Sequence, residues 1–135
     1  WYVTGFCDGE AAFTYSRAGG TIGLYFSIRQ RDDNRQIIEE IQEYFQYIGT
    51  IYRGRETNPA KSSGLKKPGL YYRVTKINEL KAVVEHFDKY PLQSKKNSEV
   101  YRIWREMVIY KLDNYRSINY EKLKALAEKL THLHA

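Results

Sequence analysis

Hydrophobic residues recur at helical spacing over the first ten positions and then change to strict alternation. Val3, Phe6 and Cys7 would share one face of a helix. Gly5 and Gly9, one helical turn apart, would form a second face with almost no side chain. Small residues at this spacing let two helix backbones approach closely. The pattern predicts either an ordinary core helix that ends in a glycine turn or a helix that packs against a second helix of the same kind.

Alternation of apolar and polar residues predicts strands at 13–16, 24–29, 50–55 and 70–76. In the first, second and fourth of these segments, one face is apolar and the other carries Thr, Ser, Tyr and Arg. An antiparallel sheet with one solvated face gives this pattern. The polar residues lack the Lys–Glu mixture of an ordinary solvated surface. This face therefore either meets water or contacts a nucleic acid.

Helical periodicity returns between and after these strands. Asp32, Asp33 or Asn34 would cap a helix that ends at Gly49, and Asn78 would cap the next one. Two further apolar stripes make the C-terminal third helical. The order of helix, two strands, helix, two strands and helix predicts an α+β fold, with one domain over residues 1–135. Its four-stranded antiparallel sheet would carry helices on one face and present a twisted, concave saddle on the other.

Charge and composition narrow the possible partners. The 135 residues contain 22 Lys and Arg against 16 Asp and Glu, a net charge of +6, which is compatible with a polyanionic partner. A single Cys excludes a disulfide scaffold and suits a reducing compartment. No apolar run could span a bilayer, so we expect no membrane partner. The sequence has no P-loop, dinucleotide fingerprint or Ser-His-Asp arrangement, and its histidines lack metal-ligand spacing.

Lysines cluster at two places that matter for an anionic partner. Lys66 and Lys67 belong to a Pro/Gly/Ser/Lys-rich connection, where they would either contact a phosphate backbone or remain solvated. Lys95 and Lys96 begin a helix directly after a Tyr-Pro-Leu segment. Cations at a helix N-terminus oppose its dipole unless an anion lies nearby. Two solvated lysines are the simpler interpretation of this second pair.

Residues Val3-Thr-Gly-Phe-Cys-Asp-Gly-Glu-Ala11 resemble the motif of the LAGLIDADG homing endonucleases, position by position. Two further segments are similar to landmarks of the same family and follow in the same order. One is Gln30 at the end of the second strand, and the other is Tyr90-Pro-Leu-Gln-Ser-Lys-Lys96. The resemblance covers nearly the whole chain and is closest to the single-motif half of fungal organellar members.

This resemblance implies a site-specific, double-strand DNA endonuclease, intron-encoded and active as a homodimer. Glu10 and the Gly9 carbonyl would ligate Mg²⁺, with Ca²⁺ as a non-catalytic substitute. Lys95, or Lys96 if the register differs by one residue, and Gln30 would complete the catalytic set. Asp8 would serve capping or interface polarity rather than metal binding. The dimer interface would comprise Val3, Gly5, Phe6 and Gly9.

The resemblance also implies that the polar face of the sheet reads DNA. Arg29 and Arg73 are the best candidates for bidentate contact with guanine. A homodimer would bind a pseudo-palindromic duplex of about twenty base pairs. If the chain is one half of a two-motif protein, its partner is a non-identical half and its target is asymmetric. The full predicted contact set is Thr14, Ser16, Tyr25, Ser27, Arg29, Arg53, Arg55, Lys66, Lys67, Arg73 and Thr75.

Two other functions use the same surfaces without DNA cleavage. A maturase that assists group I intron splicing would need the sheet and its basic loop but not Glu10. A basic α+β scaffold would dimerise through Gly5 and Gly9 without metal chemistry. For all three we expect an intracellular protein, in a mitochondrion, a chloroplast or a prokaryotic cytoplasm.

Overall fold

The predicted order of elements is confirmed in a computed structural model, which describes residues 1–18, 21–54 and 69–134. The fold is α+β, and its four strands form one antiparallel sheet. Among the described residues, no helix is both long and apolar enough to cross a membrane. The elements are α1 Tyr2–Glu10, β1 Ala11–Ala18, β2 Thr21–Arg31, a 3-10 turn Asp32–Asn34, α2 Arg35–Tyr44, β3 Thr50–Arg53, β4 Gly69–Val74, α3 Ile77–Lys89, α4 Lys95–Asp113 and α5 Tyr120–His134.

The strands lie in the order β1-β2-β4-β3, so β2 and β4 are central. Phe26 of β2 pairs with Phe13 on one side and with Val74 on the other. These three side chains are buried on one face of the sheet. Residues one position along each strand point to the opposite face, which we call the outer face. The outer face includes Thr14, which pairs with Tyr25, and Ser27, which pairs with Arg73.

Aromatic side chains fasten the helices to the sheet. The ring of Phe13 lies 5.2 to 5.4 Å from the rings of Phe26, Phe87, Tyr101 and Trp104. Such pairs add roughly 0.5–1.5 kcal/mol each beyond the area that they bury. Trp104 also donates its indole N–H to the carbonyl of Thr14 at 3.0 Å. Helix α4 is therefore anchored directly to β1.

Two helix boundaries differ from the sequence prediction. Helix α2 ends at Tyr44, not at Gly49, because Gln46 and Tyr47 adopt positive φ angles of 61° and 65°. Helix α3 begins at Ile77 with Lys76 as its N-cap, so Asn78 lies within the first turn. The apolar positions predicted for both helices are nevertheless buried or half-buried.

A buried histidine joins α1 to α3. Thr4 donates its hydroxyl hydrogen to the Tyr90 carbonyl at 2.7 Å. The same hydroxyl oxygen lies 3.0 Å from His86 Nε2 and therefore accepts from it. The other ring nitrogen, Nδ1, lies 2.7 Å from the Tyr44 hydroxyl and accepts from it. His86 is thus held neutral, and burial lowers its pKa from 6.5 to about 4.

This lowered pKa predicts acid sensitivity of folding. Between the two pKa values the unfolded chain protonates His86 and the folded chain does not, so the contribution is complete above about pH 6.5 and is lost toward about pH 4. Within this range the free energy of unfolding should fall by at most about 1.4 kcal/mol for each pH unit of acidification. In denaturant titrations, the stability difference between wild type and His86→Gln should shrink as pH falls through this window. A pH-independent difference would contradict the assignment.

Candidate nucleic-acid interface and metal-binding helix end

Helix α1 has one buried side and one bare side. Val3 and Cys7 lie in the core, at 8% and 1% exposure, and burial raises the pKa of the Cys7 thiol to about 12. Val3 packs within its own chain, so its side chain has little surface left for the predicted interface. Gly5 and Gly9 are exposed, and within the part of the chain that the structure describes a Cβ added to either would meet no atom within 4 Å. Phe6 is half-buried beside this bare glycine face.

Glu10, the last residue of α1, is exposed at one end of the sheet. Its neighbour Ala11 pairs with Ile28, which lies two residues before Gln30. Gln30 therefore reaches the same end of the sheet as Glu10. Its side-chain oxygen accepts a hydrogen bond from the Asn34 amide at 3.0 Å, which fixes the orientation of the glutamine amide. By register Gln30 pairs with buried Leu70, so it lies on the helix-covered side rather than on the outer face.

Asp8 brings the start of α4 to the end of α1. Its carboxylate accepts the backbone N–H groups of Gln93 and Ser94, both at 2.9 Å, and the Ser94 hydroxyl at 2.7 Å. Burial alone would raise the pKa of Asp8, but these bonds and one from Asn97 lower it. Lys95 and Lys96 follow Ser94 directly and are both exposed. The anion expected near this lysine-rich helix start is Asp8.

One copy of the chain offers an incomplete metal site. The helix end provides the exposed Glu10 carboxylate and the Gly9 carbonyl, oxygen ligands of the kind that Mg²⁺ prefers. Asp8 is directed toward α4 and adds no ligand. Within residues 1–18, 21–54 and 69–134, no group of three or more His, Cys, Asp or Glu residues could hold a metal ion. These two oxygen donors could contribute to the binding of a hard cation.

Most of the predicted DNA contacts share the outer face. Ser27 is in register with Arg73, and Ser16 and Arg29 lie on the same side of their strands. Thr75 follows β4 and is exposed. The sequence left the orientation of Arg53 open; it pairs with Leu70 and so points to the helix-covered side. Arg55, Lys66 and Lys67 lie outside the described residues.

Two arginines and three tyrosines contact one another in one continuous series across the outer face, which we call the arginine–tyrosine ladder. The Arg73 guanidinium lies 4.2 Å from the centre of the Tyr25 ring and 5.7 Å from that of Tyr52. Tyr52 stacks on Tyr71 at 5.3 Å, with the two planes inclined by 10°. The Arg29 guanidinium lies 5.7 Å from the Tyr71 ring. Cation–π contacts of this kind orient a guanidinium without using its hydrogen-bond donors.

The Arg73 guanidinium keeps an unused donor. Its buried Nε atom has no hydrogen-bond partner within the described part of the chain. A buried donor without a partner is uncommon and calls for an explanation.

Tyr52 and Tyr71, which complete the ladder, were absent from the predicted contact set. The alternation of β4 carried the signal for Tyr71, which lies two residues from Arg73 on the same face.

Comparison with known sequences identifies the family. The family model described as LAGLIDADG endonuclease matches residues 3–108. The chain belongs to this family. It is 30% identical to an uncharacterized 50.9 kDa protein in ND4 intron 1 of Podospora anserina, over 81% of this chain and 23% of that protein. It is 26% identical to the probable intron-encoded endonuclease 2 of Neurospora crassa, over 97% of this chain and 27% of that protein. The chain thus spans about a quarter of each relative's length.

Solved structures of LAGLIDADG endonucleases share the fold. The meganuclease I-AabMI, bound to uncleaved DNA, superimposes with a TM-score of 0.74 at 26% identity, over 98% of this chain and 42% of that one. The archaeal intron-encoded homing endonuclease I-Vdi141I, complexed with DNA, gives a TM-score of 0.76 at 26% identity, over 98% of this chain and 81% of that one. Matching under half of the I-AabMI chain fits a single-motif type.

The bare glycine face predicts a stability gain from added methyl groups. Because a Cβ at Gly5 meets no atom within 4 Å, Gly5→Ala should raise the free energy of unfolding of the single chain by roughly 0.5–1 kcal/mol. Chemical denaturation at low protein concentration measures this change. Gly49→Ala is the contrasting control, since Gly49 has φ +75° and its Cβ would lie 2.7 Å from the Arg73 carbonyl. A destabilised Gly5→Ala chain would mean that α1 is covered within its own subunit.

Proposed function

We propose that this chain is one half of a site-specific endonuclease that hydrolyses both strands of a DNA duplex with Mg²⁺. The observation that carries the proposal is the end of α1, where an exposed carboxylate follows a helix face without side chains. Packing two such faces together would bring two Glu10 carboxylates close to each other. Like charges at short range are stabilised by a cation between them. Membership of the LAGLIDADG endonuclease family supports the same conclusion.

Glu10 and the Gly9 carbonyl would hold the metal in each half. A bound divalent cation lowers the pKa of water and stabilises charge on a leaving oxygen. The lysine pair at the start of α4 would place positive charge beside the scissile phosphate, with Lys95 our first choice and Lys96 the second. Gln30, oriented by Asn34, would position water at the same sheet end. Ca²⁺ should support binding but not cleavage.

The outer face would read the duplex. The proposed contacts there are Thr14, Ser16, Tyr25, Ser27, Arg29, Arg73 and Thr75, and we add Tyr52 and Tyr71 as residues that orient the arginines. Arg73 is the best-oriented donor toward guanine, because two rings fix its guanidinium. Lys66, Lys67, Arg55 and, from the edge strand, Arg53 would contact phosphates, which requires charge but little geometric precision.

The partner of α1 is either a second copy of this chain, related by a two-fold axis, or a non-identical half. Gly5, Phe6 and Gly9 would form the interface in both cases. The homodimer predicts a pseudo-palindromic target of about twenty base pairs, whereas a non-identical half predicts an asymmetric one.

Because the fungal relative from Neurospora crassa is named as intron-encoded, we propose an intron-containing genome, organellar or prokaryotic, as the setting.

A maturase function is the second candidate, since the arginine–tyrosine ladder would also suit structured RNA. It differs from the nuclease in one respect, because splicing assistance needs no metal at Glu10. Selecting duplexes from a randomised library in Ca²⁺ and then adding Mg²⁺ separates the two. Enrichment of a duplex that Mg²⁺ then cuts would support the endonuclease. Failure to enrich any duplex would favour RNA.

Replacing the proposed metal ligand should separate binding from cleavage. Glu10→Gln keeps the size of the side chain but removes its charge, so we expect a loss of cleavage of at least about 10³-fold. Duplex affinity in Ca²⁺-free buffer should change by less than about threefold, because Glu10 is not on the outer face. Glu39→Gln, which changes another exposed carboxylate, on α2, is the control and should cut normally. Full activity of Glu10→Gln would remove Glu10 from the mechanism.

Arg73→Lys should relax sequence preference at one base pair of each half-site. Lysine keeps the charge but loses the planar fork that contacts both guanine acceptors. We expect a loss of about 1–3 kcal/mol of discrimination at that position, measured by competition binding with single-base variants of the selected site. Arg53→Lys, on the helix-covered side, should leave the preference unchanged. A uniform loss of affinity for all sequences would instead identify Arg73 as a phosphate contact.

A further inference from the structure

Asp8 uses all of its side-chain acceptors on one neighbour, the first turn of α4. One carboxylate oxygen, Oδ2, accepts the N–H groups of Gln93 and Ser94, each at 2.9 Å. The other, Oδ1, accepts the Ser94 hydroxyl at 2.7 Å and the Asn97 amide at 3.0 Å. The Asn97 amide also contacts the main-chain carbonyl of Asp8. These contacts join segments that are more than 80 residues apart in the chain.

Capping alone does not explain this arrangement. Ser94 is already the N-cap of α4, and its hydroxyl oxygen accepts from the Asn97 N–H at 3.3 Å. The helix therefore has its own cap, of the kind that usually suffices. Asp8 adds an ionised acceptor from a different helix, and hydrogen bonds to charged groups are shorter and stronger than neutral ones. Compared with an ordinary cap, Asp8 additionally fixes the position of the end of α1 relative to the start of α4.

Two functional groups are placed by this connection. Glu10 lies two residues after Asp8 at the end of α1, and Lys95 and Lys96 lie between Ser94 and Asn97, both of which bind Asp8. A long lysine side chain on an untethered helix end would sample many positions. With both flanking residues bonded to Asp8, the backbone from which the lysines extend is fixed relative to Glu10.

We infer that Asp8 is a positioning residue that acts through the lysine pair Lys95–Lys96 and sets it beside the Glu10 carboxylate. This inference rests on the proposed nuclease function. Asp8 contacts neither substrate nor metal in this role. Its negative charge also offsets the unfavourable placement of two cations at a helix N-terminus. Ser94 and Asn97 belong to the same device, since each donates to Asp8.

Asp8→Asn tests the inference, because it removes the charge and places an amide against N–H donors. Single-turnover cleavage of the selected duplex should slow by about 10- to 100-fold, as expected for a misplaced catalytic group. Duplex affinity in Ca²⁺ and the Mg²⁺ concentration for half-maximal rate should both stay within about threefold of wild type. Asp88→Asn is the matched control. Asp88 of α3 makes a comparable set of bonds to Tyr101 and Arg105, which lie in α4 beyond its first turn. That variant should lose stability but not rate.

A double-mutant cycle identifies the residue through which Asp8 acts. Lys95→Ala and Lys96→Ala are each combined with Asp8→Asn, and rates are compared for protein shown to be folded. In the background of the lysine that matters, Asp8→Asn should slow cleavage by less than about threefold further. Asn97→Ala, which removes one donor and leaves Asp8 intact, repeats the cycle with a milder change if Asp8→Asn does not fold.

The outcomes are distinct. Non-additive rates with either lysine support the inference. Additive rates with both lysines, an unchanged Asp8→Asn rate, or a raised Mg²⁺ requirement would each overturn it while leaving the nuclease function intact. A wild-type chain that cuts no duplex in Mg²⁺ would overturn the proposed function, and the inference with it.

Discussion

The last turn of α1 has to satisfy two neighbours at once. Cys7 is packed into the core under the sheet, whereas Asp8, one residue later, is bonded to the start of α4. One side of α1 is buried and its end is bound. On the remaining side, a Cβ added to Gly5 or Gly9 would meet no atom within 4 Å among residues 1–18, 21–54 and 69–134. The position of Glu10 follows from these constraints, since it is the last residue of the same turn. A change to either neighbour would therefore move the carboxylate.

Positive charges are held in place by different neighbours at the start of α4 and on the outer face of the sheet. Lysines at the start of α4 oppose the helix dipole, and the Asp8 carboxylate offsets them. On the outer face, arginines are held by tyrosine rings instead of carboxylates. A guanidinium that is paired with a ring keeps its positive charge uncompensated, whereas an ion pair would cancel it. The face opposite the helices can therefore attract an anion and still hold its arginines in order.

Local patterns in the sequence predicted much of this structure, but they could not predict its non-local contacts. The alternation in 24–29 fixed the faces of β2, because a strand's period of two leaves no ambiguity over six residues. β3 has four residues, too few to show a period, so the sequence alone left open which of Tyr52 and Arg53 faces outward. The early end of α2 depends on positive φ angles at Gln46 and Tyr47, two residue types without a strong turn signal. The bonds between Asp8 and Ser94 join distant segments, and no local pattern reports them.

The ladder on the outer face has a consequence for changing what this surface recognises. Arg73 contacts two rings, one of those rings stacks on Tyr71, and Tyr71 in turn contacts Arg29. Neighbouring side chains of this face therefore support one another and are not independent. Altering one of these side chains removes a contact that orients the next. A new specificity would therefore require concerted replacement of several side chains. Libraries that vary one position at a time would mostly yield surfaces in which a remaining arginine has lost the ring that orients it.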